Sequence, residues 1–182
     1  MDTLILIYCL SFSVYLIGLR IAISKSIHEF AQELMRGESP FTPAQRELIA
    51  AFVSSQNGCE YCCDSHTATA TQLGQPEGLV EELVQDIETA NINRNLKPVL
   101  HYVKKLTLTP SEVKQTDVDA ILSMGWDETA VVHANLVCAF FNLMNRWVEG
   151  LGIESNPAAV RQASHHLSRY GYQGIVDMVA KT

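Results

Sequence analysis

Positive charge is scarce and nowhere concentrated: 13 Lys and Arg face 20 Asp and Glu, the net charge is −7, and no basic cluster exceeds Lys104-Lys105. That argues against nucleic-acid binding as the main role, which needs a basic face. Cysteine is sparse too. Five cysteines, three of them crowded at 59, 62 and 63, do not make the disulfide framework of a secreted protein. Adjacent Cys62 and Cys63 are poorly placed to pair with each other. A reducing, cytoplasmic compartment is expected. Alternating apolar runs are missing as well, since "LTLT" at 106–109 is too short for a strand. No low-complexity linker interrupts the chain. What is present is 182 residues, 47% of them hydrophobic, enough for one domain with a substantial core.

The one long apolar run is "LILIYCLSFSVYLIGLRIAI", residues 4–23, with Arg20 as its only charge. Its length would span a bilayer, but Ser11, Ser13, Gly18 and Arg20 interrupt it. Asp2 and the lack of a small-residue cleavage site fit a signal peptide poorly. We expect residues 1–25 to hold a buried or oligomer-interface helix in preference to a membrane anchor, and residues 26–182 to form a helical domain. Were the segment to span, Arg20 and Lys25 would keep the remainder cytoplasmic.

The rest reads as helices punctuated by Gly and Pro. "SIHEFAQELMRG" carries Ile27, Phe30, Ala31 and Leu34 at helical spacing and stops at Gly37. Thr42, Pro43 and Gln45 announce the next start with a capping box; Ala44, Leu48, Ile49 and Phe52 form its apolar stripe, and Asn57-Gly58 ends it. A helix follows from the cysteines to about Leu73. Pro76 is expected to open another through "EGLVEELVQDIE", and further helices are expected over Lys97–Leu106, within "TDVDAILSMG", over Asp127–Glu149, and from Asn156-Pro157 to Arg169. The fold class is all-α.

"NGCEYCCDSH", residues 57–66, concentrates the chemistry. On a helix from residue 59, at about 100° per residue, Cys62 lies about 300° and His66 about 340° around from Cys59, so the three share a face. Cysteines in a first helical turn meet free N–H groups and the helix dipole, which favour a thiolate. A Cys-x-x-Cys pair placed there suits reversible disulfide chemistry. A zinc site on Cys59, Cys62 and His66 would need a fourth ligand and usually a second clustered pair, which the sequence lacks. Small buried cysteines beside a satisfied histidine remain the plain alternative.

"RELIAAFVSSQNGCEYCCDSH" resembles the signature of the alkyl hydroperoxidase D family, within the carboxymuconolactone decarboxylase superfamily. That signature has a glutamate twelve residues before a Cys-x-x-Cys and a histidine four residues after it; Glu47, Cys59, Cys62 and His66 occupy those positions. "SPFTPAQRELIA" and "FFNLMNRWVEGLGI" are similar to its peroxidase-related branch. The resemblance runs over roughly residues 26–170. It implies a single-domain helical bundle, usually a homo-oligomer, that reduces hydroperoxides with thiols. By that likeness Cys62 is the peroxidatic thiol, Cys59 resolves it into a disulfide, and His66 with Glu47 relays protons. The resemblance also implies that no metal, flavin or haem is needed and that a dithiol donor, such as a lipoyl-bearing protein, returns the electrons. Better-known members carry a second histidine before the nucleophile, where this chain has Tyr61, and Cys63 is an addition. Disulfide exchange, redox sensing and lactone decarboxylation stand as alternatives; the last does not need paired cysteines.

Other polar residues read as structural. His165-His166 with Arg161 and Arg169 fits a solvated helix face. His133 and Cys138, five apart, point to different sides of one helix. Trp126, Trp147, Phe140 and Phe141 are expected as packing anchors, and Asn142, Asn145 and Arg146 as hydrogen-bonding ties between helices.

Overall fold

The computed structural model describes residues 22–179. Nearly all of the apolar run 4–23 lies outside the described residues, and the expectation of a buried or membrane-anchoring N-terminal helix falls there. Among the described residues no helix is long and apolar enough to cross a membrane, and there is no strand. Nine α-helices are present among them: α1 (Ala22–Arg36), α2 (Pro43–Gln56), α3 (Glu60–Gln72), α4 (Leu79–Gln85), α5 (Lys97–Leu108), α6 (Gln115–Ser123), α7 (Glu128–Gly150), α8 (Pro157–Tyr170) and α9 (Gln173–Val179).

The capping box at Thr42 is formed: Gln45 N–H donates to Thr42 Oγ1 at 3.2 Å and Thr42 N–H to Gln45 Oε1 at 2.9 Å. Such a cap satisfies amides left without an intrahelical partner and fixes where α2 begins. The expected stripe understates this helix, because every residue from Arg46 to Ser54 is buried. It runs through the centre of the molecule, in contact with α1, α3, α4, α5 and α7. Such a position leaves no solvent face, so Arg46 turns its charge to backbone, donating to Leu34 O at 2.9 Å and Gly37 O at 3.0 Å at the end of α1.

α3 packs against α2 with a face of modest side chains, Cys62, Ser65, His66, Thr69 and Ala70. They recur at i, i+3, i+4, i+7 and i+8, and their small size lets the two helices approach closely. On its other side Gln72 donates to Ser164 Oγ at 2.9 Å and accepts from Ser168 Oγ at 2.7 Å, which ties α3 to α8. Phe41, Phe52, Phe141, Leu48, Ile49 and Leu100 fill the main core.

Two expectations need correction. The helix expected from Pro76 begins only at Leu79, because Gly78 sits at φ 79°, a left-handed value that a right-handed helix cannot include. The chain also does not end its helical course at Arg169. A turn at Gly171 leads into α9, which folds back on α1.

Candidate functional site

Cys59 is the N-cap of α3, not a member of its first turn: its backbone is extended at φ −84°, ψ 93°. Gly58, at φ 71°, supplies the tight reversal from α2, and Cys59 N–H donates to Ser54 O at 3.0 Å. The helical rotation computed from residue 59 therefore does not apply to that residue. The two sulfurs still meet, for hydrogen bonding between Cys59 and Cys62 is the leading influence on both thiols. Cys59 is wholly buried and Cys62 nearly so, in a small cluster with Val148.

The pair is electrically asymmetric. The Cys59 hydrogen bond, with help from the His66 charge and from Asn145, outweighs burial and holds the Cys62 thiol below its ordinary range. Cys59, as the partner that keeps its proton, is pushed up by that bond and by burial. Cys63 turns away toward the main core, where burial pushes its thiol up to about 11. All four cysteines among the described residues are free thiols.

Behind Cys62 lies a buried chain of charge. His66 Nδ1 donates to Glu47 Oε2 at 2.5 Å, and Arg36 Nη2 donates to Glu47 Oε1 at 2.6 Å. Glu47 is fully buried. Burial alone would raise its pKa, but His66 and then Arg36 prevail and hold the carboxyl below the usual range. Arg36 is fixed in turn by Leu167 O at 3.0 Å and Met35 O at 2.9 Å. Phe141 and the imidazole meet edge to face, with centroids 4.6 Å apart. With Nδ1 committed to the carboxylate, Nε2 is the nitrogen left for a reacting group.

Cys62 and His66 both line a cavity of about 410 Å³. Phe140, Phe141, Met144, Trp147, Leu151 and Ile153 give it a largely apolar wall, and Tyr61, His28, His166 and Tyr172 add polar groups. Glu47, Cys59, Cys62 and His66 are thus brought together by α2 and α3. Arg36, Tyr172 and the cavity itself went unread in the sequence. His166 is a correction: His165 is exposed as expected, but His166 is half-buried against Gly174 and lines the cavity. The asparagines behave as ties, with Asn57 Nδ2 donating to Asn145 Oδ1 at 2.8 Å and Asn145 Nδ2 to Ser54 Oγ at 2.9 Å. No group of three or more His, Cys, Asp or Glu side chains among the described residues is arranged to hold a metal ion.

Comparison with known proteins bears on this geometry. Residues 22–92 match the model of the Carboxymuconolactone decarboxylase family. "Uncharacterized protein YdfG" of Bacillus subtilis (strain 168) is 29% identical over 109 residues, covering 60% of this chain and 74% of that protein. A crystal structure of an uncharacterized peroxidase-related protein from Silicibacter sp. TM1040 matches with TM-score 0.69 and 29% identity, over 76% of this chain and 72% of that one. A second, from Ralstonia eutropha JMP134 and described as an alkylhydroperoxidase AhpD core, matches with TM-score 0.69 over 76% and 73% of the two chains. Its 22% identity makes it evidence for the fold alone.

Proposed function

We propose that this chain, whose residues 22–92 match the Carboxymuconolactone decarboxylase family model, is a thiol-dependent hydroperoxide reductase working through Cys62 and Cys59. The observation that carries the reading is the placement of one lowered thiol, Cys62, on an apolar cavity beside a histidine backed by a buried carboxylate. The Cys62 thiolate attacks the O–O bond of a hydroperoxide. One oxygen transfers to sulfur as sulfenic acid, and the other leaves as alkoxide, taking a proton from His66 to become an alcohol. Glu47 holds the imidazole in orientation for that transfer. The Cys59 thiol then attacks the sulfenic acid, releasing water and forming the Cys59–Cys62 disulfide. A dithiol donor, such as a lipoyl-bearing protein, reduces that disulfide and is itself oxidised. A reducing, cytoplasmic setting suits the free thiols.

Two further features belong to this reading. Val132, Leu136 and Leu143 are exposed along one side of α7, an apolar stripe that supports a homo-oligomer; a single-chain mass by light scattering would refute that state. Lactone decarboxylation, the chemistry in the family's name, is the rival, and complete alkylation of the cysteines separates the two, since only thiol chemistry must stop.

The central test is dimedone labelling after a stoichiometric pulse of cumene hydroperoxide. Cys59→Ser should lose turnover yet carry the label on Cys62, whereas Cys62→Ser should carry none. Label on Cys59 in the second variant alone would reverse the roles, and no label in either would sink peroxide reduction.

A further inference from the structure

Tyr172 stands on the cavity shared by Cys62 and His66, although 110 residues of chain separate it from Cys62. It is 6% exposed, and its Oη has no hydrogen-bond partner. A buried hydroxyl without a partner costs about 1–3 kcal/mol in desolvation, so its retention asks what it is for. Glu47, whose charge acts on the phenol, has its two oxygens engaged by Arg36 and His66.

The residue is held in place with some effort. Gly171 adopts φ 60°, ψ −143°, and a Cβ there would lie 2.6 Å from Gln32 Oε1 and 2.9 Å from Arg36 Cγ. Gln32 Oε1 accepts from Tyr172 N–H at 2.8 Å and Gln173 N–H at 3.0 Å. The Arg36 guanidinium, which also holds Glu47, sits 5.6 Å from the centroid of the phenol ring. One arginine thereby fixes both the carboxylate behind His66 and a ring that lines the same cavity as Cys62.

We propose that Tyr172 is a further catalytic residue, donating a hydrogen bond from Oη to the peroxide oxygen that Cys62 attacks and so seating it against the sulfur. The inference rests on the peroxidase reading above. The phenol keeps its proton throughout, since burial, with the negative charge of Glu47 and Cys62, pushes its titration well above the ordinary value. Its contribution is a fixed dipole aimed at developing negative charge, and the transferred proton comes from His66. An uncharged donor suits a site that already holds a thiolate and a carboxylate.

The test compares full-length Cys59→Ser with Cys59→Ser/Tyr172→Phe. The removed oxygen bonds nothing within the protein, so the double variant should unfold at the same or a higher temperature. Stopped-flow formation of the Cys62 sulfenic acid with cumene hydroperoxide should slow by at least about 10-fold for loss of one donor to the reacting group. Alkylation of Cys62 by iodoacetamide, which has no peroxide oxygen to seat, should keep its rate and pH profile. Equal peroxide rates overturn the role of Tyr172, as does alkylation slowing in step with peroxide, which would mark a structural effect. A Cys59→Ser protein that forms no sulfenic acid at all instead overturns the peroxidase reading itself.

Discussion

Two thiols of identical chemistry, Cys59 and Cys62, are set apart by their effect on each other. Their mutual hydrogen bonding is the leading cause that lowers Cys62 and raises Cys59. The asymmetry gives each a role: the lowered thiol is the better nucleophile at neutral pH, and the protonated one is an attacker only after the first has been oxidised. The leading cause is removable. Cys59→Ala should shift the midpoint of Cys62 alkylation against pH upward, toward an ordinary thiol, whereas Cys59→Ser retains a hydroxyl donor and should shift it less. The charge of His66 also favours the thiolate, so the alanine variant should not reach a fully unperturbed profile. A midpoint unchanged in Cys59→Ala would show that the thiol pair does not set the reactivity. Glu47, Cys62 and His66 could be read from the sequence because the stretch from Arg46 to His66 resembles a family signature. Arg36 and Tyr172 could not. The former is held by Leu167, 131 positions away, and no local pattern encodes such a pairing.

At the scale of the helix, the boundaries that were legible are those with side-chain or proline signals: Thr42 with Gln45, Asp127 and Asn156-Pro157 all start helices where the sequence places them. Boundaries set by backbone torsion were harder to place, as the late start of α4 behind Gly78 illustrates. Two glycines on either side of the site separate torsion from crowding. Gly58, at φ 71°, has open space where a Cβ would stand, while Gly171, at φ 60°, does not. Gly58→Ala should therefore cost about 1 kcal/mol of unfolding free energy, the left-handed penalty alone. Gly171→Ala should cost about 2 kcal/mol or more, because strain is joined by displacement of Gln32 and Arg36, and it should slow peroxide reduction through the Glu47 partner it moves. Urea unfolding of the two variants decides the matter. An equal or larger loss at Gly58 would mean that the packing around Gly171 is loose.

For the molecule as a whole, the all-α class followed from missing alternation and regular punctuation, but the cavity did not, because α1, α3, α7, α8 and α9 build it jointly. Its size bears on what the site accepts. A space of about 410 Å³ lies in the range of pockets for small organic ligands and far exceeds the need of hydrogen peroxide. The wall includes Ala159 and Ala163 from α8, small side chains that leave the volume open. Each methylene moved from water to such a wall is worth about 0.8 kcal/mol. Even three such groups in contact would favour an organic hydroperoxide by on the order of 10²-fold, before the cost of ordering the ligand. The expected result is a kcat/KM for cumene hydroperoxide higher than that for hydrogen peroxide by about this factor. Ala163→Phe, which fills part of the space and leaves Cys62 and His66 unaltered, should reduce that ratio mainly through the organic substrate. Its effect on hydrogen peroxide should be small, since that molecule needs none of the occupied volume. Equal values for the two peroxides in the unaltered protein, or a uniform loss in Ala163→Phe, would show that the cavity does not receive the substrate's body.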